Sequence, residues 1–288
     1  MKSWTLYLFV RECLHLAAEL FRGSQTPRMT LASAVRYRDY LHRLQKGKVR
    51  PNAIITICMK RPFRGEIALR ETGSDWATFH EITTDEIYRQ VVCKVPGFQT
   101  VIDLGANIGL ASLYLAKHSP SCRILSVEPN PQSYEILVRN VQSLGNRCKT
   151  LRAAAWRTHR QLSPDPHVAK DRFSTFRLRE ASADVQDEFI AEGLTMIEIL
   201  DNSGFDTIDL LKVDIEGAEA QIFAGTDLRW LTRIGSIAIE FHEDSRKACG
   251  FDHIMKNYRF EICGEEQHTV LARKPNWARD GQHLAAPR

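Results

Sequence analysis

The stretch that most constrains the fold of this chain is V-I-D-L-G-A-N-I-G at residues 101–109. An apolar run ends here in an acid and a turn of small residues, and apolar residues at helical spacing resume at Leu110. This order is typical of a buried parallel strand, a tight loop and a helix start. Gly105 and Gly109 let the backbone come close to a ligand where a Cβ atom would obstruct it. Because open α/β sheets bind ligands at the carboxyl ends of their strands, the stretch predicts a ligand pocket.

The spacing of the loop distinguishes between cofactors. Dinucleotide-binding loops carry G-x-G-x-x-G, whereas this loop carries G-x-N-x-G. Asp103 would repel a pyrophosphate, but it suits S-adenosylmethionine (SAM), which carries an ammonium and a sulfonium and has no phosphate. A second acid, Glu128, ends the next apolar strand 23 residues after Gly105. That is close to the separation of about 20 at which a Rossmann-like acid reaches ribose hydroxyls, so we predict SAM as cofactor.

A second acidic strand end lies in L-L-K-V-D-I-E-G-A-E at 210–219. Three acids within six residues at a strand–helix junction are costly unless they are solvated, paired or functional. Asp214 and Glu216 share parity on an extended segment and can face one ligand. Glu219 falls on the following helix, and we interpret it as structural.

A third strand, I-A-I-E-F-H-E at 237–243, places Glu240 and His242 on the same side of its end. A histidine there is a natural general base, since its unperturbed pKa is about 6.5. A divalent metal that clamps a vicinal diol between Asp214, Glu240 and His242 is the less favoured alternative, and we expect no metal site.

In this order, the stretches resemble the FkbM family of SAM-dependent methyltransferases. The resemblance extends from about Asp85 to Lys274 and is carried by the motifs at 101–109, 126–131, 210–219 and 239–242. It implies an α/β, Rossmann-like class I methyltransferase fold. In that fold, a seven-stranded, mostly parallel sheet is flanked by helices and ends in a reversed hairpin. Here Tyr258–Gly264 and Gln267–Arg273 would form the hairpin.

The resemblance also implies a function and a set of site residues. Family members O-methylate hydroxyls of sugars, glycolipids or natural products, and such hydroxylated molecules are the expected acceptors. The residues implied to bind SAM are Asp103, Gly105, Asn107 and Gly109 at the methionine end, Glu128 at the ribose, and Asn130 near the adenine. The residues implied to face the acceptor and to act in catalysis are His242, Asp214 and Glu216. The alternatives are a methyltransferase that acts on nucleic acid or protein, and a non-catalytic SAM-binding module.

Composition and pattern divide the chain into three parts. We predict a basic, amphipathic helical extension at 1–50, a SAM-dependent methyltransferase domain at 51–275 and a flexible tail at 276–288. The extension is expected to contain one helix ending near Gly23 and another from Ala34 to Leu44.

Within the domain, secondary-structure patterns follow a regular order. β-like runs are Ala53–Met59, Glu66–Glu71 and Trp76–Ile82. Strands are expected at about 100–104, 123–128 and 149–155, with helices at about 107–117 and 131–144. Asn130 is expected to cap the second of these helices. The polar segment 158–190 contains one expected strand, Phe173-Ser174-Thr175-Phe176, and is a candidate substrate lid.

Charge is distributed unevenly along the chain. Residues 1–64 contain 13 Lys and Arg residues against three acids, a net charge of +10, whereas the whole chain carries +4. Such asymmetry suggests an anionic partner or a solvated basic face. Nucleic acid is not expected as a partner, whereas peripheral membrane contact through residues 1–22 is compatible with the pattern. The seven cysteines are scattered without a C-x-x-C pair, so we expect a cytoplasmic protein.

Overall fold

The computed structural model describes residues 29–50, 53–60, 65–71, 74–165, 177–181, 189–225, 227–266 and 268–277. The predicted first helix, the proposed membrane contact through residues 1–22, the expected strand Phe173–Phe176 and most of the predicted tail lie outside these residues. Within them, no helix is long and apolar enough to cross a membrane.

The described chain opens with a helix packed near a two-stranded sheet. Helix α1, Leu31–Gln45, is capped by Thr30, whose hydroxyl accepts a hydrogen bond from the Ser33 amide. This confirms the helix predicted from Ala34 to Leu44. Strands β1, Ile54–Met59, and β2, Gly65–Arg70, pair antiparallel, as the first two β-like runs predicted.

The prediction of a β-like run at Trp76–Ile82 was wrong, because Asp75–Thr83 forms a helix, α2. Its buried side chains Trp76, Phe79 and Ile82 recur every three residues, which is a helical rather than a strand period. Helical periodicity therefore outweighs the β propensity of the aromatic and branched residues in this segment. Helix α3, Arg89–Lys94, follows.

A seven-stranded sheet forms the centre of the molecule, as the resemblance implied. Its strands are β3 (Thr100–Leu104), β4 (Arg123–Val127), β5 (Cys148–Leu151), β10 (Ile208–Val213), β11 (Ile234–Glu240), β12 (Glu261–Glu266) and β13 (Thr269–Arg273). The order across the sheet is β12-β13-β11-β10-β3-β4-β5. β13 pairs antiparallel with β11 and with β12, which confirms the reversed hairpin, and the other neighbours are parallel.

Strand order reverses at β3, which lies between β4 and β10. On one side of β3 the chain continues to β4 and then β5, whereas β10 and β11 lie on the other side of β3. This reversal is the switch point at which open α/β sheets form a ligand crevice beyond the carboxyl ends of their strands. The loops after β3, β4 and β10 therefore meet at one place.

Helices cover both faces of the sheet. They are α4 (Leu110–His118), α5 (Pro131–Val141), α6 (Met196–Ser203), α7 (Glu219–Phe223), α8 (Ser245–Ala248) and α9 (Phe251–Asn257). Two large apolar clusters separate the sheet from these helices. Asn130 caps α5, accepting hydrogen bonds from the amides of Gln132 and Ser133 as predicted.

A smaller four-stranded sheet lies between β5 and β10 in the chain. Its strands are β6 (Ala154–Ala155), β7 (Arg160–Pro164), β8 (Leu178–Glu180) and β9 (Ala191–Leu194), in the order β6-β9-β7-β8. The predicted strand at 149–155 is therefore divided between the two sheets. Sequence reasoning missed β7 and β8 inside the segment 158–190, because both are short and polar residues dominate there.

Candidate functional site

A pocket opens at the switch point, and most predicted site residues lie in its wall. The glycine loop, residues 104–109, contributes Gly105 and Asn107. The acidic turn, residues 214–218, contributes Asp214 and Glu216, while Glu128 enters from the end of β4. Asn130 also belongs to the wall, whereas Asp103, Gly109 and His242 lie outside the wall that the described residues form.

The two predicted glycines have different structural tasks. Gly105 has a φ of 69°, and a Cβ atom there would lie 1.7 Å from the carbonyl oxygen of Asp214. Only glycine therefore lets the glycine loop approach the acidic turn so closely. Gly109 has a φ of 85° and precedes α4, where a Cβ would lie 2.7 Å from Leu137 of α5. Its lack of a side chain lets α4 and α5 pack closely, and its contact with the cofactor stays a prediction.

Glu128 is held by two backbone amides at the pocket. Its carboxylate accepts hydrogen bonds from the Asn107 amide at 2.8 Å and the Asn130 amide at 2.9 Å. Burial raises the pKa of Glu128 to about 7, although these hydrogen bonds act to lower it. The carboxyl is thus fixed at the end of β4, where a ribose-binding acid was predicted.

Asp103 differs from its predicted placement. Its side chain is fully buried, and the ammonium of Lys212 lies 3.1 Å from one carboxylate oxygen. The Ser112 hydroxyl donates a hydrogen bond to the other oxygen at 2.6 Å. Asp103 therefore pairs with Lys212 beneath the glycine loop and does not line the pocket, and its contact with SAM stays a prediction.

Lys212 is a site residue that sequence reasoning missed. Its side chain is 3% exposed, and its ammonium donates hydrogen bonds to the carbonyl oxygens of Leu104 and Gly105 at 3.2 and 2.8 Å. The same nitrogen lies 3.7 Å from a carboxylate oxygen of Asp214. Burial lowers the pKa of Lys212, but the negative charge of Asp103 and its other neighbours raises the pKa by more. The net pKa lies above the ordinary value of a lysine, so Lys212 is a cation. A lysine inside the apolar run I-D-L-L-K-V was the available signal, because unpaired lysines are rarely buried.

His242 lies behind the acidic turn and is oriented by Glu219. Its Nδ1 lies 2.7 Å from Oε1 of Glu219, and its Nε2 lies 3.4 Å from Oε2 of Glu216. The hydrogen bond with Glu219 raises the pKa of His242 to about 9. Glu219 is fully buried, and its hydrogen bonds from His242 and the Gly217 amide outweigh burial and lower its pKa. The interpretation of Glu219 as merely structural was therefore incomplete, because this carboxylate sets the ring orientation and charge of His242.

Several carboxyl groups lie close together around the acidic turn. Burial raises the pKa of Glu216 to about 7, and the charge of Asp214 raises it further. Burial also raises the pKa of Glu240 and of Glu81, and Asp214 is the next cause for both. Glu81 comes from α2, so the helix misread as a strand brings an acid to the site.

Asp214, Glu216 and His242 come together as predicted from the sequence. Each offers one atom able to coordinate a metal, and these atoms lie within 4.8 Å of one another. The sequence-based alternative instead combined Asp214 and His242 with Glu240. Two carboxylates and one imidazole can also bind and move a proton, and we assign no metal to them.

Comparisons with known proteins find methyltransferases that are similar to this chain. The sequence profile of the methyltransferase FkbM domain matches residues 103–264, which is more than half of the chain. Methyltransferase sdnD of Sordaria araneosa is 25% identical over 213 residues, covering 64% of this chain and 81% of that protein. The 31-O-demethyl-FK506 methyltransferase FkbM of Streptomyces tacrolimicus is 22% identical over 250 residues, covering 75% of this chain and 96% of that protein.

Among solved structures, the methyltransferase FkbM of Methylobacillus flagellatus is similar at a TM-score of 0.43 and 17% identity. The match covers 61% of this chain and 43% of that chain.

Proposed function

The chain belongs to the FkbM-domain family of SAM-dependent methyltransferases, and on that premise we propose that it transfers the methyl group of SAM to a hydroxyl. The acceptor is a hydroxyl of a natural product, sugar or glycolipid. One observation carries the proposal: a cofactor-type acid, Glu128, shares a pocket wall with Asp214 and Glu216, and His242 groups with these two carboxylates behind that wall.

The cofactor half of the pocket fits SAM. Glu128 presents a fixed carboxylate to the ribose hydroxyls, and the exposed edge of the glycine loop receives the methionine end. Asn130 stands beside Glu128 in the wall, although its side-chain oxygen is already used to cap α5. The close approach of Gly105 to Asp214 puts this half directly beside the acidic turn.

The acceptor half supplies orientation and a base. The sulfonium of SAM supplies an already activated methyl group. Positioning the acceptor oxygen in line with it can contribute on the order of 7–11 kcal/mol to lowering the barrier. A general base that takes the hydroxyl proton adds about 10²–10⁴-fold.

We assign the base to His242, with Glu219 holding its Nδ1 so that Nε2 is turned toward Glu216 and the acceptor side. In the free protein the imidazole is mostly protonated at pH 7, because its pKa is raised to about 9. Positive charge entering the pocket with the cofactor lowers the pKa of a neighbouring cation and so favours release of this proton. Asp214 orients the acceptor hydroxyl, and Glu216 relays the proton between Nε2 and solvent.

Oxygen as the acceptor atom has support from a relative. The name 31-O-demethyl-FK506 methyltransferase describes O-methylation of a natural product by that protein. The identities of about a quarter or less leave the acceptor of this chain open within the hydroxylated class.

The first test is calorimetric titration of the purified protein with S-adenosylhomocysteine (SAH), with NAD as the parallel control. We expect micromolar binding of SAH and none of NAD. Binding justifies a screen of hydroxylated natural products, sugars and glycolipids with methyl-labelled SAM, followed by comparison with the His242→Ala variant. That variant is expected to bind SAH normally and to lose about 10²–10⁴-fold in turnover.

Two outcomes contradict the proposal. Absence of SAH binding by the wild-type protein excludes the assigned cofactor pocket. Equal loss of SAH binding and turnover in His242→Ala excludes the role of His242 as base.

A further inference from the structure

We propose that Lys212 is a positioning residue that holds the glycine loop and the acidic turn in register for methyl transfer. This inference rests on the function proposed above, because it concerns how the cofactor half and the acceptor half of the same pocket are kept aligned. Lys212 itself lies beneath the pocket and touches neither substrate.

The ammonium of Lys212 donates hydrogen bonds to two carbonyls and forms an ion pair with a carboxylate. An ammonium has three N–H donors, and three oxygen atoms lie within 3.2 Å of it. They belong to the Asp103 carboxylate and to the carbonyls of Leu104 and Gly105. Two of the three partners are backbone atoms of the glycine loop, so the lysine fixes the path of the loop itself.

The same ammonium reaches the acidic turn. It lies 3.7 Å from a carboxylate oxygen of Asp214, which is a charge contact. The Leu104 carbonyl, besides accepting from Lys212, accepts a hydrogen bond from the Asp214 amide at 3.2 Å. One cation and one carbonyl therefore connect the loop that receives the cofactor with the carboxylate that faces the acceptor.

Stability alone is a weak reason for this arrangement. Lys212 lies directly opposite Asp103 in the parallel pairing of β10 with β3, between apolar strand residues. Replacing both members of a buried ion pair by uncharged side chains of similar volume is often neutral or stabilising. A pair kept for stability could thus be replaced, whereas a pair that aligns two halves of a site could not.

The experiment compares Lys212→Met with the double variant Asp103→Asn/Lys212→Met. The single variant leaves a carboxylate buried without a counter-charge, so its melting temperature should fall. The double variant removes both charges, while the side-chain amide introduced at position 103 can still accept a hydrogen bond from Ser112. Its melting temperature should therefore return close to that of the wild type.

Two measurements distinguish a loss of alignment between the glycine loop and the acidic turn from a loss of folding. Calorimetric affinity for SAH should remain about tenfold weaker in the double variant, because the glycine loop has lost two hydrogen bonds from the ammonium and is no longer held in the geometry that receives SAH. Amide hydrogen exchange at Gly105, Ala106 and Asp214 should accelerate, whereas exchange at Leu210 and Leu211 in the middle of β10 should not change.

Lys274→Met is the matched control. The ammonium of Lys274 also donates to a backbone carbonyl, that of Leu231 at 2.7 Å, and is partly buried between Phe260 and Trp277. Because it lies away from the pocket, SAH affinity and exchange in the glycine loop should stay at the wild-type values.

The proposal is overturned if SAH affinity and loop exchange recover together with the melting temperature in the double variant. It is also overturned if the double variant melts as low as the single variant, since the ammonium would then hold the fold itself. Absence of SAH binding by the wild type would refute the proposed function instead, and the exchange measurement would still test the hold of Lys212 on the loop.

Discussion

At the residue scale, the charge of His242 decides how the site can act. Its Nδ1 is bonded to Glu219, and its Nε2 faces Glu216, so both ring nitrogens meet carboxylates. Such surroundings favour imidazolium, which cannot accept a proton from a hydroxyl. The residue is therefore well oriented for catalysis but is in its inactive protonation state at neutral pH in the free protein.

This gives a prediction about the pH dependence of turnover. Because the pKa of His242 is raised to about 9, the fraction of neutral imidazole grows as pH rises toward that value. We expect kcat/KM for SAM, which reports the ionisation of the free protein, to increase from pH 7 to about 9 in the wild type. Glu219→Gln removes the largest cause of the raised pKa, so the rising limb should move to lower pH, while the loss of ring orientation lowers the plateau. The measurement is kcat/KM for SAM against pH at a fixed acceptor concentration.

Glu243→Gln is the control for this prediction. Glu243 follows His242 in the chain, but its side chain is 74% exposed and pairs with Arg177. Removing the charge of Glu243 should leave the rising limb of the pH profile at the same pH. A wild-type kcat/KM that is flat between pH 7 and 9, with no shift in Glu219→Gln, would assign the base to Asp214 instead of His242.

At the scale of elements, the site depends on how closely two loops at the switch point approach each other. The glycine loop follows β3, the acidic turn follows β10, and Gly105 is the point of closest contact. A methyl group at Gly105 has no space, because the atom in its way is the backbone carbonyl of Asp214. A backbone obstacle cannot rotate aside as a side chain would.

We therefore predict that Gly105→Ala separates the two loops. Overpacking of this kind costs about 1–3 kcal/mol of stability or more, and the positive φ adds strain for alanine. SAH affinity should fall at least tenfold, as measured by calorimetry, and the melting temperature should fall with it. Gly225→Ala is the matched control, since a Cβ there meets nothing within 4 Å. Normal SAH binding by Gly105→Ala would show that the close contact does not shape the pocket.

The same elements show what the sequence can and cannot predict. Strands β3, β4 and β10 and the acids that end them could be predicted, because apolar runs followed by an acid and a turn are local patterns. The ion pair of Asp103 with Lys212 could not, since it depends on the register between β3 and a strand that is distant in the sequence. Likewise, the capping of α5 by Asn130 is local, whereas the contact of Glu219 with His242 joins residues 23 positions apart.

At the scale of the whole molecule, the described part of the predicted extension, residues 29–50, packs with the domain that follows. The rings of Tyr37 and Tyr40 in α1 stack on Trp76 of α2, with centroid distances of 4.7 and 4.5 Å. These three side chains are buried in the same apolar cluster as residues of β3 and α4. Helix α1 thus stabilises α2, and α2 in turn carries Glu81 to the acidic side of the pocket.

A buried carboxylate makes this connection testable. Glu71 is 1% exposed and pairs with Arg43 at 2.6 Å and with Arg50, and these hydrogen bonds outweigh burial and lower its pKa to about 2. A chain that begins at residue 51 loses both arginines and leaves the carboxylate buried without a counter-charge. We expect its melting temperature to be roughly 5–10 °C below that of a chain that begins at residue 29.

The substitution Glu71→Gln separates two effects of removing the segment, which are the unpaired charge of Glu71 and the lost ring stacking on Trp76. In the shorter chain it removes the uncompensated charge and should recover part of the melting temperature, whereas the loss from the unstacked Trp76 should persist. In the longer chain the same substitution breaks the pairing and should be destabilising. The change in melting temperature has opposite signs in the two chains only if α1 and its flanking arginines belong to the folded domain. Equal melting temperatures for the two chains would instead place the boundary of the domain at residue 50, where composition alone predicts it.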